Sequence, residues 1–284
     1  MENKVILTAD STCDLTTELL QKYKVHTIPL HINLGGSSYL DLLDITPDDI
    51  YKNFGETGTL PKTAAVNTQE YINALKPYID KGYEVVHVNL GSALSASYQN
   101  CCNAAKQLGG IYPVDSCNLS TGSGLLVIQA AQLISQGCSA KETAEKTQSM
   151  AHNSHGSFIV DRLEYLRAGG RCSAVAVLGA NILGIKPCIE VDNTNGSMSV
   201  GKKYRGRLTK VLTTYVEEQL NRYNDIDTSR VFITHAGISQ DMVDHVYNIL
   251  SKKHIFDEIL VTRASCTISS HCGPDTLGIL FMTK

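Results

Sequence analysis

The 284-residue chain has no tryptophan, only five phenylalanines and only seven prolines. With glycine at 22, this composition excludes collagen-like and proline-rich low-complexity classes. No run approaches the roughly 20 mostly apolar residues of a membrane span. The apolar stretch Cys172–Ile185 is interrupted by Ser173, Gly179 and Asn181. The opening, MENKVILTADSTCD, has neither the apolar region nor the cleavage pattern of a signal peptide, so a cytoplasmic location is expected. Nine cysteines contain no Cys-x-x-Cys, which argues against a zinc site and for reduced, mostly buried thiols. A Gly-x-x-x-x-Gly-Lys-[Ser/Thr] loop, a Gly-x-Gly-x-x-Gly after the first strand and a kinase signature are all missing, so no ATP site and no cofactor of its own are expected. A net charge of −3 argues against bulk nucleic-acid binding.

What is present is a globular pattern. Apolar residues make up 43% and charged residues 19%, enough for a packed core, and the length fits two domains. Short apolar runs alternate with helical patterns through the first half. Strands are expected at Val5–Ala9, Val25–Leu34, Glu84–Leu90 and Ile111–Val114. Helices are expected at Leu15–Tyr23, from Thr46-Pro47-Asp48-Asp49, from Thr68 to about Tyr78, at Ser95–Leu108, at Thr121–Gln136, and from Ser139, whose capping box is completed by Glu142. After about residue 152 the rhythm changes. A hairpin turn, Asn195-Gly196, joins Cys188–Val191 to Ser197–Val200, and crossovers follow. The expected fold is α/β with two domains. Residues 1–152 form a three-layer α/β/α parallel-sheet domain, and residues 153–284 a two-layer α/β domain with a mixed sheet.

Several polar features could carry function. First-half strands end in small hydroxyl residues, among them Ser11, Ser92, Ser95 and Ser116. Ligands of open parallel sheets bind outside the carboxyl ends of strands, so these hydroxyls are candidate donors to a carboxylate or phosphate, or else plain helix caps. Thr63 is a further candidate. Gly169-Gly170-Arg171 combines close backbone approach with a planar double donor. His271 precedes Gly273-Pro274 in an expected turn before the last strand, where it could orient a ligand oxygen or act as a base. Lys202, Lys203, Arg205, Arg207 and Lys210 form a cationic stretch: a solvated helix start, or a dock for an acidic partner or a nucleotide phosphate.

Read in order, these pieces resemble the DegV family of bacterial fatty-acid-binding proteins, the FakB-type subunits of fatty acid kinase. The resemblance covers essentially the whole chain. It rests on Asp10-Ser11-x-x-Asp14-Leu15, Lys62-Thr63, Leu94-Ser95-x-x-Tyr98, Asp115-Ser116, Leu163-x-Tyr165-Leu166-x-x-Gly169-Gly170-Arg171, Ile185-Lys186-Pro187, Arg205-Gly206 and His271-x-Gly273-Pro274. It implies a long-chain fatty acid held between the two domains, with its carboxylate on Thr63, Ser95 and His271. Arg171, Ser92 and Ser116 would stand near the head group. Arg205, with Lys203 and Arg207, would face a partner ATP-dependent kinase that phosphorylates the carboxylate for phospholipid synthesis. The chain would then be a lipid-binding subunit and no enzyme alone, touching membranes only transiently to exchange lipid.

This sequence departs from the family pattern at Ala64-Ala65-Val66-Asn67-Thr68, Ala96-Ser97 and Cys272 with Asp275, which bears on chain-length preference more than on ligand class. Two other readings of the same residues stand beside this one. Ser95 and His271 could serve a hydrolase or transferase, although no Gly-x-Ser-x-Gly surrounds Ser95. The site could instead carry another anionic small molecule.

Overall fold

The structure, a computed structural model, describes residues 4–177 and 184–284; Gly179 and Asn181 of the apolar stretch lie outside the described residues. A four-stranded sheet runs in the order Val25–Ile28, Val5–Asp10, Glu84–Asn89, Ile111–Asp115, with every neighbour parallel. Successive residues of a strand face opposite sides, and the two sides are filled by different helices. Val85 and Ile111 meet Tyr71 and Leu75 of helix Thr68–Ile79 and Cys101 and Ala104 of helix Ser97–Leu108. Leu7, Ala9, Val86 and Val88 meet the helices Thr17–Lys22, Thr121–Ser135 and Ala140–Met150 on the other side. The result is a three-layer α/β/α arrangement.

Strands from Ser154 onward build a six-stranded mixed sheet. Its order is Met198–Arg205, Ile185–Val191, Ser154–Ile159, Leu277–Thr283, Ile226–His235, Glu258–Arg263. Only the last two strands pair in parallel; all the other neighbours are antiparallel. Helices Leu208–Asn221 and Gln240–Lys253 cover one face, where Tyr215, Val243 and Leu250 pack on Ile233, Ile279 and Phe281. Part of the other face, at Phe158 and Ile189, is covered by short helices of its own half, Leu163–Gly169, Ser173–Val177 and Cys266–Cys272, through Leu166, Val175 and Ile268. The rest of it, at Phe232, Leu280 and Met282, packs on Leu125, Leu126 and Ile128 of helix Thr121–Ser135. That helix therefore lies between the two sheets. A helix apolar all round is a buried one, and Thr121 through Ile128 are all buried.

The structure differs from the sequence-based reading at four points. The expected strand Val25–Leu34 is two strands, Val25–Ile28 in the parallel sheet and His31–Leu34 in a separate antiparallel sheet with Ser37–Leu40 and Lys62–Ala64. Pro29 between them cannot donate to a ladder, which suits a change of sheet. The hairpin strand at Ser197–Val200 extends to Arg205, so most of the cationic stretch lies on a strand, and its helix starts only at Leu208. The expected turn holding His271 is the last turn of a short α-helix, Cys266–Cys272. The cap expected at Thr68 falls one residue earlier, on Asn67, which forms a capping box with Glu70. The capping boxes at Thr46–Asp49 and Ser139–Glu142 are both formed. Among the described residues no helix is long and apolar enough to cross a membrane.

Candidate ligand site between the two halves

A cavity of about 290 Å³ opens between the sheets. Its walls are apolar: Leu30, Leu90, Leu94 and Leu119 from the first half, Met198 and Ile268 from the second. Polar groups gather at one end, where four elements meet. Thr63 lies on strand Lys62–Ala64, Ser95 in the turn ahead of helix Ser97–Leu108, Arg171 just after helix Leu163–Gly169, and His271 on helix Cys266–Cys272; all four line the cavity. A second, much smaller cavity of about 20 Å³ shares the walls Leu119, Ile268 and Cys272 and reaches Phe158, Ala264 and Leu280. The smaller cavity also touches Ser120, Thr234 and Thr276.

The polar end is held by specific contacts. Thr63 Oγ1 and His271 Nε2 are 2.8 Å apart. Burial, followed by the positive charge of Arg171, pushes His271 down to about 4, so the ring is neutral at physiological pH. A neutral imidazole has one donor and one acceptor nitrogen. Nδ1 is buried with no partner, and an unpaired buried acceptor is tolerated better than an unpaired N–H. The proton therefore belongs on Nε2, where it donates to Thr63 and leaves the threonine hydroxyl proton free for a ligand oxygen. Ser95 Oγ accepts from Ser97 N–H at 3.2 Å and lies 3.0 Å from Ser97 Oγ. Arg171 is exposed; its Nη1 donates to the Gly169 carbonyl at 2.8 Å, and among the described residues it has no carboxylate partner. Gly169 packs directly against the His271 ring, and a Cβ there would collide with Nδ1.

Other candidates lie elsewhere. Ser92 is exposed and outside the cavity lining, and its backbone N–H donates to Asp115 Oδ1 at 3.0 Å. Ser116 is buried, also outside the lining. Its hydroxyl is used up in closing its own loop: it donates to the Asn118 carbonyl and accepts from Asn118 N–H and Ser123 Oγ. Asp10 and Ser11 are likewise engaged internally. The hydroxyl-bearing strand ends thus do not converge on one ligand; of them only Ser95 reaches the cavity. Thr267 and Cys272, which sequence reasoning did not select, line the cavity with His271 because Thr267 lies four before His271 and Cys272 four after Ile268, which puts all of them on one helix face. A helix prediction over 266–272 would have found them. Its composition, Cys-Thr-Ile-Ser-Ser-His-Cys, has no strong helix former to signal it.

The titration of His271 has a fixed sign. Its folded value lies below its ordinary 6.5, so the unfolded chain takes up the proton first. The stability this residue contributes should be complete above pH 6.5 and be lost as pH falls toward about 4. Following the ring protons by NMR should give a midpoint near 4 in the empty protein, moving upward once an anionic ligand sits beside it. A midpoint at 6.5 or above in the empty protein would contradict the buried placement.

The DegV family model matches residues 4–284. The chain belongs to the DegV family. A DegV domain-containing protein of Clostridium perfringens is 29% identical over 284 residues, covering 99% of both chains. Among solved structures, a DegV family protein from Thermus thermophilus superposes with a TM-score of 0.89 at 24% identity, covering 99% of this chain and 100% of that one. A stearic-acid-binding protein from Eubacterium ventriosum gives 0.82 at 25% identity, covering 100% and 99%. As in those DegV-type structures, a parallel sheet and a separate mixed sheet make up the α/β fold.

Proposed function

We propose that the protein binds a long-chain fatty acid in the cavity between its two halves and presents the carboxylate to a partner ATP-dependent fatty acid kinase. The observation that carries the reading is the cavity's polarity: Thr63, Ser95, His271 and Arg171 at one end, apolar walls along the rest. A stearic-acid-binding relative of the same fold supports the ligand class. A tail of about 15 methylenes at ~0.8 kcal/mol each offers on the order of 12 kcal/mol of transfer free energy. That exceeds the ordering costs of binding, so neutral hydroxyl donors suffice for the head group. Thr63→Ala and Ser95→Ala should each weaken binding by about 0.5–3 kcal/mol, read by titration with a fluorescent fatty acid.

The hydrolase reading fares less well. His271 Nε2 faces Thr63, while Ser95 Oγ is engaged with Ser97, so serine and histidine are not a nucleophile–base pair. Mass spectrometry of a lipid extract tests the proposal against both alternatives. A co-purifying C14–C18 acid supports it. Ester turnover by the isolated chain, or a phosphorylated metabolite in place of the acid, overturns it.

For the kinase, we propose the cationic stretch as the docking surface. Lys203, Arg205 and Arg207 are exposed, and among the described residues none has an acidic partner, whereas Lys202 pairs with Glu218. Lys203 and Arg205 project from the same face of an edge strand, with Tyr204 buried between them. At about 3.3 Å per residue, Arg205 stands on the order of 23 Å along that strand from cavity-lining Met198. An exposed cation at that distance steers a partner without touching the lipid. Arg205→Ala should therefore leave fatty-acid affinity within a few-fold, yet depress acyl-phosphate formation with the cognate kinase, less so as salt rises. Lost lipid binding, or full turnover at low salt, sinks the assignment.

A further inference from the structure

We infer that Asp14 and Asp41, two buried carboxylates of the first half, are positioning residues for the ligand head group: they grip the N-terminus of helix Cys266–Cys272 and so fix where His271 stands. The inference rests on the fatty-acid reading above and adds two residues that lie outside the cavity lining.

The first N–H groups of a helix have no partner within it. Here they are taken by the other half of the molecule. Ser265 N–H donates to Asp14 Oδ1 at 3.0 Å, Cys266 N–H to Asp41 Oδ1 at 2.8 Å, and Thr267 N–H to Asp41 Oδ2 at 3.4 Å. Ser265 Oγ, the N-cap, accepts from Ile268 N–H. Each carboxylate is aimed by a hydroxyl of its own half: Ser120 Oγ donates to Asp14 at 2.6 Å and Ser11 Oγ to Asp41 at 2.9 Å. Negative charge at a helix N-terminus is favourable.

The arrangement is costly. Asp14 is 4% exposed and Asp41 1%, and among the described residues no Lys, Arg or His pairs with either. Burial lifts Asp14 to about 7 and raises Asp41 as well. Asp14 also holds a left-handed backbone at φ 52°. Uncompensated buried carboxylates are expensive, and what these gain in return is the helix. A seven-residue helix of weak formers does not stand alone. At its other end His271 meets Thr63, again from the first half. The helix is thus clamped at both ends by the opposite half, and the face between the clamps, Thr267, Ile268, His271 and Cys272, is the cavity wall. Six residues at about 1.5 Å each separate Ser265 from His271, so the two ends move together.

Asp41→Asn keeps the shape, removes the charge and replaces one acceptor with a donor. Two readouts on the full chain test the inference: affinity for a fluorescent C16 fatty acid, and the NMR signals of the His271 ring in the empty protein. The expected result is at least a tenfold weaker affinity with displaced His271 signals. Leu250→Ala, in the core behind the mixed sheet, is the control for lost stability and should change neither readout. Ser11→Ala removes the hydroxyl aiming Asp41 and also the acceptor of Leu30 N–H at the cavity wall, so here the His271 signals, which should shift, decide the matter if Asp41→Asn does not fold, with a roughly threefold loss of affinity beside them. Wild-type affinity with unmoved His271 signals in the variants overturns the inference, as does an equal loss in Leu250→Ala. A wild-type chain that binds no fatty acid would sink the ligand reading alone, because the His271 signals of the empty variants still report on the clamp.

Discussion

Gly169→Ala should cost fatty-acid affinity by tenfold or more. Within a helix the exchange of glycine for alanine ordinarily stabilises by about 0.5–1 kcal/mol, and Gly169 closes helix Leu163–Gly169 without a positive φ. On propensity alone the variant would be neutral or better. The sign is decided by space: the new Cβ would fall on His271 Nδ1. The ring cannot move away from that contact without disturbing its bond to Thr63, 2.8 Å away. Once that bond is lost, Thr63 no longer has a fixed donor direction, and two of the polar groups at the cavity end are disturbed by one methyl group. Titration with a fluorescent fatty acid, beside a urea unfolding curve, checks the result. Unchanged affinity in a folded variant would show that the His271 position is not needed for binding.

Asp10→Ala should be the most destabilising single change at the floor of the site, by about 3–5 kcal/mol. The Asp10 carboxylate, 1% exposed, accepts from Tyr71 Oη at 2.6 Å, from Leu90 N–H at 2.8 Å, from Asn89 Nδ2 at 3.4 Å, and is 3.1 Å from His87 Nε2. Removing it strands these groups in a core where Tyr71, His87 and Asn89 are fully buried. Leu90 is a cavity wall, so looser packing there should weaken ligand binding as well. The urea midpoint measures the effect. A shift of under 1 kcal/mol would mean that water or a rearranged hydroxyl takes the place of the carboxylate.

Most of the fold was legible because its signals are local. Thr46 with Asp49 and Ser139 with Glu142 declare helix starts within four residues, and Val5–Asp10 and Glu84–Asn89 are apolar runs of strand length. What escaped is what tertiary contacts decide. The strand break at Pro29 sends His31–Leu34 to a different sheet, and helix Cys266–Cys272 exists against its own composition because Asp14 and Asp41 reach it from more than 220 residues away. The site was legible only through family resemblance. Spacing alone named many hydroxyls, and could not tell Ser95, which lines the cavity, from Ser116, whose bonds close its own loop.

Helix Thr121–Ser135 carries a consequence for how the chain is made. Synthesis proceeds from the N-terminus, and the first half can assemble as soon as its strands have left the ribosome. The far face of this helix must then wait for Phe232, Leu280 and Met282, all of which are translated well after Ser135. During that interval a band of Leu and Ile side chains stands open to water, attractive to any apolar surface nearby. Slow translation of the second half would lengthen the exposure. The nascent first half is therefore an expected client of chaperones that recognise apolar segments, and premature termination downstream of Ser135 would yield an aggregating fragment in place of a smaller stable domain.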